Sequence, residues 1–339
     1  MKRALILCPG RGSYSRNDLG TLDGLVSESL KPFDDIRASA GRKTVRELDA
    51  AERFSARQHI AGENASILTA GITLADLDQL DAERIRPVAV CGNSMGWYTA
   101  LGFAGALSLP DCARLVETMG QYQAGNVIGG QIVYPLTDAQ WRMVPSRLAA
   151  VEAAVAAITD LSWSIRLGGQ AVLAGTEAAL AEAIARLPAL TVGSYTYPLR
   201  LPLHSAFHTP LLAGASQRAH TDLADLDWRT PRLPLVDGTG NIWRPRHADT
   251  EELAGYTLGE QVFGTYDFTT MLKTALREYA PDCIILPGPG SSLGGAIAQT
   301  LISEGWQGLD SKDAFTARQA SDPILISLRW PDQRALACR

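Results

Sequence analysis

The sequence predicts an α/β fold, with a mainly parallel sheet covered on both faces by helices and a smaller α+β unit inserted into it. Three observations carry this. Short apolar runs, "RALILC" (3–8), "RPVAVCG" (86–92) and "DCIILP" (282–287), have the length and texture of buried strands. Helix-length stretches separate them, as parallel strands require. From about residue 128 to 198 the texture changes to a more compact β-α-β-α-β pattern of about 70 residues.

The elements follow in order. The first strand closes at Pro9-Gly10, a turn signal. Residues 43–85 are mostly helical in pattern, with loops expected around Gly62 and Gly71. "RPVAVCG" is a buried strand entered through Pro87, and "WYTALGFAGAL" (97–107) is apolar enough for a buried helix. "LPDCARLVETMGQYQA" (109–124) reads as a helix with Pro110 in its first turn, where the missing N–H costs nothing. In the inserted unit, "GGQIVYPL", "SWSIRLGGQAVLAG" and "TVGSYTYPL" are strand-like and flank the helices "PSRLAAVEAAVAAI" and "TEAALAEAIARL". The main unit resumes with a helix from Pro210, a strand and turn in "RLPLVDGTGNIWRP", the amphipathic helix 268–280 and a last strand–turn–helix over 282–306; "DPILISLRW" (322–330) adds one more strand. The expected division is 1–127 with 199–339 as the main domain and 128–198 as the small one.

Bulk properties narrow the function classes. The 339 residues are 46% hydrophobic and 20% charged, an ordinary globular balance. A net charge of -5 without any Lys/Arg run gives no reason to expect nucleic acid. Cys8, Cys91, Cys112, Cys283 and Cys338 are scattered, so neither a metal site nor a disulfide framework is indicated, and a reducing cytoplasm fits. The N-terminal apolar run is too short for a signal peptide and no stretch is long enough to span a membrane. No bound cofactor, no membrane partner and a monomer are expected.

The chemistry is sought in two G-x-S-x-G segments, Gly92-Asn93-Ser94-Met95-Gly96 and Gly290-Ser291-Ser292-Leu293-Gly294. Each follows a strand and precedes an apolar helix, the setting of a nucleophilic serine on a sharp turn. A serine hydroxyl needs a base, usually histidine. No histidine follows Ser292, whereas four follow Ser94. Among them His208 precedes Thr209-Pro210, a helix start, and so sits in a loop at a strand end, where α/β sheets keep active groups. His204 reads as a strand side chain, packed or partly exposed; His59, His220 and His247 read as solvated. No acid presents itself as a third member, since Asp222, Asp225 and Asp227 lie along a polar helix face.

Six segments in order, over about residues 4–298, resemble the malonyl-CoA:acyl-carrier-protein transacylases and the acyltransferase domains of polyketide and fatty-acid synthases. "LCPGRGS" is similar to that family's F-P-G-Q-G-S. "CGNSMGWYTALGFAGALSLPDCARLVETMG" is similar to its G-H-S-L-G-E-Y block ending V-x-x-R-G. "GGQAVLAGTEAAL", "LPLHSAFHTPLL", "QVFGTYDF" and "LPGPGSSLGGAI" match four later motifs. The resemblance implies an α/β-hydrolase-like domain with a ferredoxin-like insert. It implies Ser94 as acyl-accepting nucleophile, His208 as base, and the backbone carbonyl of Gln261 orienting that histidine. The backbone N–H groups of Met95 and Arg11 would form the oxyanion hole. Phosphopantetheine thioesters, acyl-CoA or acyl-carrier protein, would be the substrates, in polyketide or fatty-acid biosynthesis, with an acyl carrier protein as partner.

The chain departs from that pattern at three substrate-facing positions. Met119 stands where the family has an arginine that grips a malonyl carboxylate; Asn93 replaces a histidine and Trp97 a glutamate. A carboxylate buried against methionine lacks its partner. The expected acyl group is therefore neutral, with Arg11 or Arg166 as a substitute carboxylate binder in the alternative. Two other functions are compatible with the same dyad or its loss. One is an acyl hydrolase clearing carrier proteins; the other is an inactive docking module, which intact Ser94, His208 and Gln261 argue against.

Overall fold

A computed structural model describes residues 1–125 and 127–339. In chain order the strands are β1 (Lys2–Cys8), β2 (Ile85–Gly92), β3 (Gly130–Pro135), β4 (Leu161–Leu167), β5 (Gln170–Gly175), β6 (Leu190–Val192), β7 (Tyr195–Tyr197), β8 (Leu199–Leu201), β9 (Leu235–Val236), β10 (Ile242–Trp243), β11 (Cys283–Leu286) and β12 (Leu325–Ser327).

Six of them form the main sheet in the order β10-β9-β2-β1-β11-β12, parallel throughout except for the β9–β10 hairpin. The alternation of side chains along β1 explains why its run is unbroken. Ala4, Ile6 and Cys8 enter one core and Leu5 and Leu7 the other, all fully buried. The first core packs the helices Gly62–Leu77, Gly96–Ala104 and Leu109–Gln121; the second packs Phe268–Tyr279 and Gly294–Ser303. The loop expected at Gly71 is absent, and the helix Gly62–Leu77 runs straight through it. A Cβ at Gly71 would come within 2.8 Å of Leu30 Cδ1, so the glycine serves close packing rather than a turn.

The inserted unit is an antiparallel sheet in the order β4-β5-β3-β8. Helices Pro145–Ala157 and Glu177–Arg186 cover one face, burying Ile132, Tyr134, Trp163 and Leu173. The other face sends Val133, Ile165 and Val172 into the second main core. "SWSIRLGGQAVLAG", read as one strand, is the hairpin β4–β5 turning at Gly168-Gly169. "TVGSYTYPL" divides into the small hairpin β6–β7 and the start of β8, which continues to Leu201, past the expected boundary at 198. Among the described residues no helix is long and apolar enough to cross a membrane.

Candidate active site

Ser94 sits between the end of β2 and the start of helix Gly96–Ala104, with φ 54, the left-handed region that costs a non-glycine residue conformational energy. The flanking glycines make this turn possible. A Cβ on Gly92 would lie 2.1 Å from the carbonyl carbon of Gly96, and one on Gly96 would lie 2.3 Å from the carbonyl oxygen of Cys8. The motif thus encodes a turn that closes on itself and presses against the end of β1.

His208 comes to this serine from 114 residues away. Its Nε2 lies 2.7 Å from Ser94 Oγ and its Nδ1 2.8 Å from the Gln261 carbonyl oxygen. A carbonyl can only accept, so Nδ1 carries the proton and Nε2 is left to accept the serine hydroxyl. Gln261 does more than orient the ring. Its Nε2 donates to the Ser94 carbonyl at 3.0 Å, and its Oε1 accepts from the Tyr98 hydroxyl at 2.7 Å, so one residue ties base and elbow together. Burial, with the positive charge of Arg11 adding to it, pushes the His208 imidazole down to about 4, against the pull of its hydrogen bond to Gln261. The ring is therefore neutral and able to accept a proton at pH 7.

Among the described residues neither the Met95 nor the Arg11 backbone N–H meets an acceptor. Both residues line the same cleft as Ser94 and His208, and so do Asn93, Met119 and Gln261. Trp97 does not. It is fully buried in the first core, donates Nε1 to Thr257 Oγ1 at 2.9 Å and packs edge-on against Tyr256. The expectation that Trp97 contacts substrate is corrected on that ground, since helical phase turns it away from the cleft. The second elbow has no base among the described residues: Ser292 Oγ meets Ser13 Oγ at 3.3 Å.

The histidines other than His208 divide differently from expectation. His220 and His247 are exposed. His59 is buried, its Nε2 3.0 Å from the Leu48 carbonyl oxygen, and stacks on Tyr14 and Phe54. His204 lies in a loop and lines the cleft. Its tautomer follows from a relay. Ser164 Oγ donates to the Phe207 carbonyl, Gln131 Nε2 donates to Ser164 Oγ at 2.6 Å, and Gln131 Oε1, 2.7 Å from His204 Nδ1, must accept from it. His204 Nε2 is thereby an unprotonated acceptor at the cleft, and burial and Arg11 push this ring down to about 4 as well. The spacing of four from His208 was the only sequence signal for it; nothing local announced Gln131, Ser164 or Tyr98.

The acids near His208 in sequence stay remote. Asp222, Asp225 and Asp227 are exposed; Asp222 accepts from the Tyr122 hydroxyl and Asp225 pairs with Arg114. Arg166 stacks 4.2 Å above the Trp163 ring and lines a separate groove with Asp267 and Lys273. Of the two arginines considered as carboxylate binders, only Arg11 is at the cleft.

Comparison with known proteins follows this geometry. No protein-family model matches the chain. The chain is 24% identical over 309 residues to a phenolphthiocerol synthesis type I polyketide synthase of Mycobacterium marinum, covering 88% of this chain and 14% of that protein. It is 28% identical over 176 residues to the malonyl CoA-acyl carrier protein transacylase of Escherichia coli, covering 51% of this chain and 54% of that one. The chain thus spans about half the length of the transacylase and a small part of the synthase. Its fold superposes on the malonyl-CoA:ACP transacylase of Synechocystis sp. PCC 6803 with a TM-score of 0.74 at 18% identity, over 98% of this chain and 99% of that one. In sequence and in fold, the chain resembles the malonyl-CoA:acyl-carrier-protein transacylases and the acyltransferase domains of polyketide synthases.

Proposed function

We propose that the chain is an acyltransferase that moves an acyl group between thioesters through an acyl-Ser94 intermediate, with an acyl carrier protein as acceptor. The observation that carries this is the chain of contacts from the Gln261 carbonyl through His208 to Ser94 Oγ. Ser94 Oγ attacks the thioester carbonyl carbon while His208 Nε2 takes the hydroxyl proton. The backbone N–H groups of Met95 and Arg11 are the free donors for the tetrahedral oxyanion, and removing one such donor costs roughly 10²–10³-fold in rate. The tetrahedral intermediate expels a thiolate, which takes the proton from His208 and leaves as a thiol. The thiol of a carrier protein's phosphopantetheine then attacks the acyl-serine by the reverse sequence. Kinship in sequence and fold with transacylases supports the same assignment.

The test is intact-protein mass spectrometry with a panel of acyl-CoAs, followed by addition of a phosphopantetheinylated carrier protein. The expected result is an acyl adduct on Ser94 that moves to the carrier thiol. Loss of the adduct to water at the same rate with or without carrier would make the protein a hydrolase instead.

The low proton affinity of His208 predicts a pH profile. Acylation is expected to hold its plateau well below pH 6.5 and to fall toward a midpoint near pH 4. The linked stability has the same sign. The unfolded histidine, with its ordinary value of about 6.5, binds a proton before the folded one as pH falls, so stability is lost between about pH 6.5 and pH 4. A pH–rate profile of the acylation burst checks the first statement and pH-dependent urea melts the second.

A further inference from the structure

We propose that Ser13 is a positioning residue for acyl transfer: its hydroxyl aims the Arg11 backbone N–H at the oxyanion, and the second G-x-S-x-G segment holds that hydroxyl in place. The proposal rests on the acyl-enzyme reading above and deepens it.

A backbone N–H has no direction of its own. It shares a rigid plane with the carbonyl of the preceding residue, and in a trans peptide the two point in opposite directions. The Arg11 N–H is therefore aimed by whatever holds the Gly10 carbonyl. That peptide bond is trans, and Ser13 Oγ donates to the Gly10 carbonyl oxygen at 2.9 Å. The Met95 N–H is held in the same manner. It shares its plane with the Ser94 carbonyl, which accepts from Gln261 Nε2 at 3.0 Å and from the Trp97 N–H at 3.0 Å. Each free donor at the cleft thus has a hydrogen bond on the far side of its own peptide plane. The Ser94 plane has two; among the described residues the Gly10 plane has Ser13 alone. A Cβ on Gly10 would lie 2.5 Å from the Asn93 carbonyl oxygen, so this plane abuts the turn that carries Ser94.

Ser13 is itself held from behind, and here the second elbow acquires a role. The Ser13 hydroxyl gives its one proton to the Gly10 carbonyl, so Ser292 Oγ, 3.3 Å away, must donate to Ser13 Oγ. A Cβ on Gly290 would lie 2.2 Å from the Ser13 carbonyl oxygen, so the two loops touch at the backbone. Asp18, 1% exposed, latches them together. Its Oδ1 accepts from the Gly290 N–H at 3.0 Å and from Arg329 Nε at 2.8 Å. Its Oδ2 accepts from the Ser15 N–H at 2.9 Å and the Ser15 hydroxyl at 2.6 Å. The second elbow is then a buttress rather than a second nucleophile. A relay runs from the Ser292 hydroxyl through the Ser13 hydroxyl and the Gly10–Arg11 peptide to the oxyanion, and each donor polarises the next. Negative charge develops on the thioester oxygen only as Ser94 adds, so the relay acts on the tetrahedral state and not on the bound thioester.

The test uses two ketone analogues of acetyl-CoA in which a methylene replaces the thioester sulfur. The methyl ketone binds without reacting and reads the intact cleft. The trifluoromethyl ketone adds the Ser94 hydroxyl: a C–O bond forms, the ketone oxygen takes the negative charge and His208 takes the proton. Its affinity therefore reads the oxyanion donors. Ser13→Ala is expected to weaken the trifluoromethyl ketone by roughly tenfold to a hundredfold and to leave the methyl ketone unchanged. The acylation burst should slow by a similar factor with KM unchanged. Ser292→Ala is expected to weaken the trifluoromethyl ketone by less, in the same direction; unchanged affinity there removes the second elbow from the relay. Native affinity for the trifluoromethyl ketone in Ser13→Ala, or an equal loss of both ketones, overturns the positioning role and leaves the acyl-enzyme reading standing. Native protein that binds both ketones equally and is labelled by no thioester overturns both.

Discussion

Ser94→Ala is expected to abolish acyl-enzyme formation from every thioester, and His208→Ala to slow it by about 10²–10⁴-fold. The two effects have different origins. Alanine at 94 removes the hydroxyl proposed to carry the acyl group. Alanine at 208 leaves the hydroxyl in place but without a proton acceptor, since among the described residues Ser94 Oγ has no other hydrogen-bond partner. The double variant is expected to be no worse than Ser94→Ala alone, because the two act as a unit. Intact mass after rapid mixing with acyl-CoA reads both, with far-UV circular dichroism as the check on folding. Undiminished acylation in Ser94→Ala would move the nucleophile elsewhere and return the second elbow to consideration.

How far this site was legible in the sequence depended on the kind of signal. Ser94 and its glycines are a local motif, and their steric reason is local too: the turn needs no side chain at 92 or 96. The choice of His208 rested on chain order and on the helix start at Thr209-Pro210. The contact with Gln261 joins residues 53 apart through a backbone carbonyl, which leaves no trace in side-chain chemistry; only the family resemblance pointed to it. His204 shows the opposite failure. Its neighbours "RLPL" suggested a strand, but β8 ends at Leu201 and the chain turns, delivering the ring to the cleft through Gln131 on β3 and Ser164 on β4. That relay crosses the small sheet and joins it to the main domain, so no window of sequence contains it.

The fold was read best where burial is two-sided. Runs such as "RALILC" and "CIIL" have no polar alternation to confuse, and both are central strands of the parallel sheet. Reading was poorest where glycine serves packing. Gly71 resembles a turn signal in isolation, but its helix continues because Leu30 and Val45 occupy the space a side chain would need. Gly168-Gly169, inside an apolar stretch, was the true turn, and reading through it merged two strands into one.

Loss of the buried Arg37–Glu117 pair is expected to be the largest stability effect of a single charged substitution. Glu117 lies on helix Leu109–Gln121 with its side chain 5% exposed; Arg37, 80 residues earlier, is 3% exposed. Arg37 also donates to the Lys43 and Glu63 carbonyls and to Asn64 Oδ1, so its position is over-determined, but among the described residues Glu117 is its only anion. Glu117→Ala would leave a sealed guanidinium without a counter-charge, at a cost of about 3–5 kcal/mol, read as a lower urea midpoint. Removing both charges by Arg37→Met with Glu117→Leu should cost less than the single change, because Glu117's other partner, Arg42, is 41% exposed and keeps its water, so no buried charge is stranded. The pair also fixes the wall of the cleft. It clamps helix Leu109–Gln121, which carries Met119, to the start of helix Gly62–Leu77, which carries Ser66. Ser66 is the partner of Arg11 Nη2, so a shift between these helices moves the guanidinium as well. The double variant should therefore recover most of the urea midpoint and still acylate Ser94 more slowly, which separates the pair's effect on folding from its effect on the cleft. Full recovery of both would reduce the pair to a folding element alone.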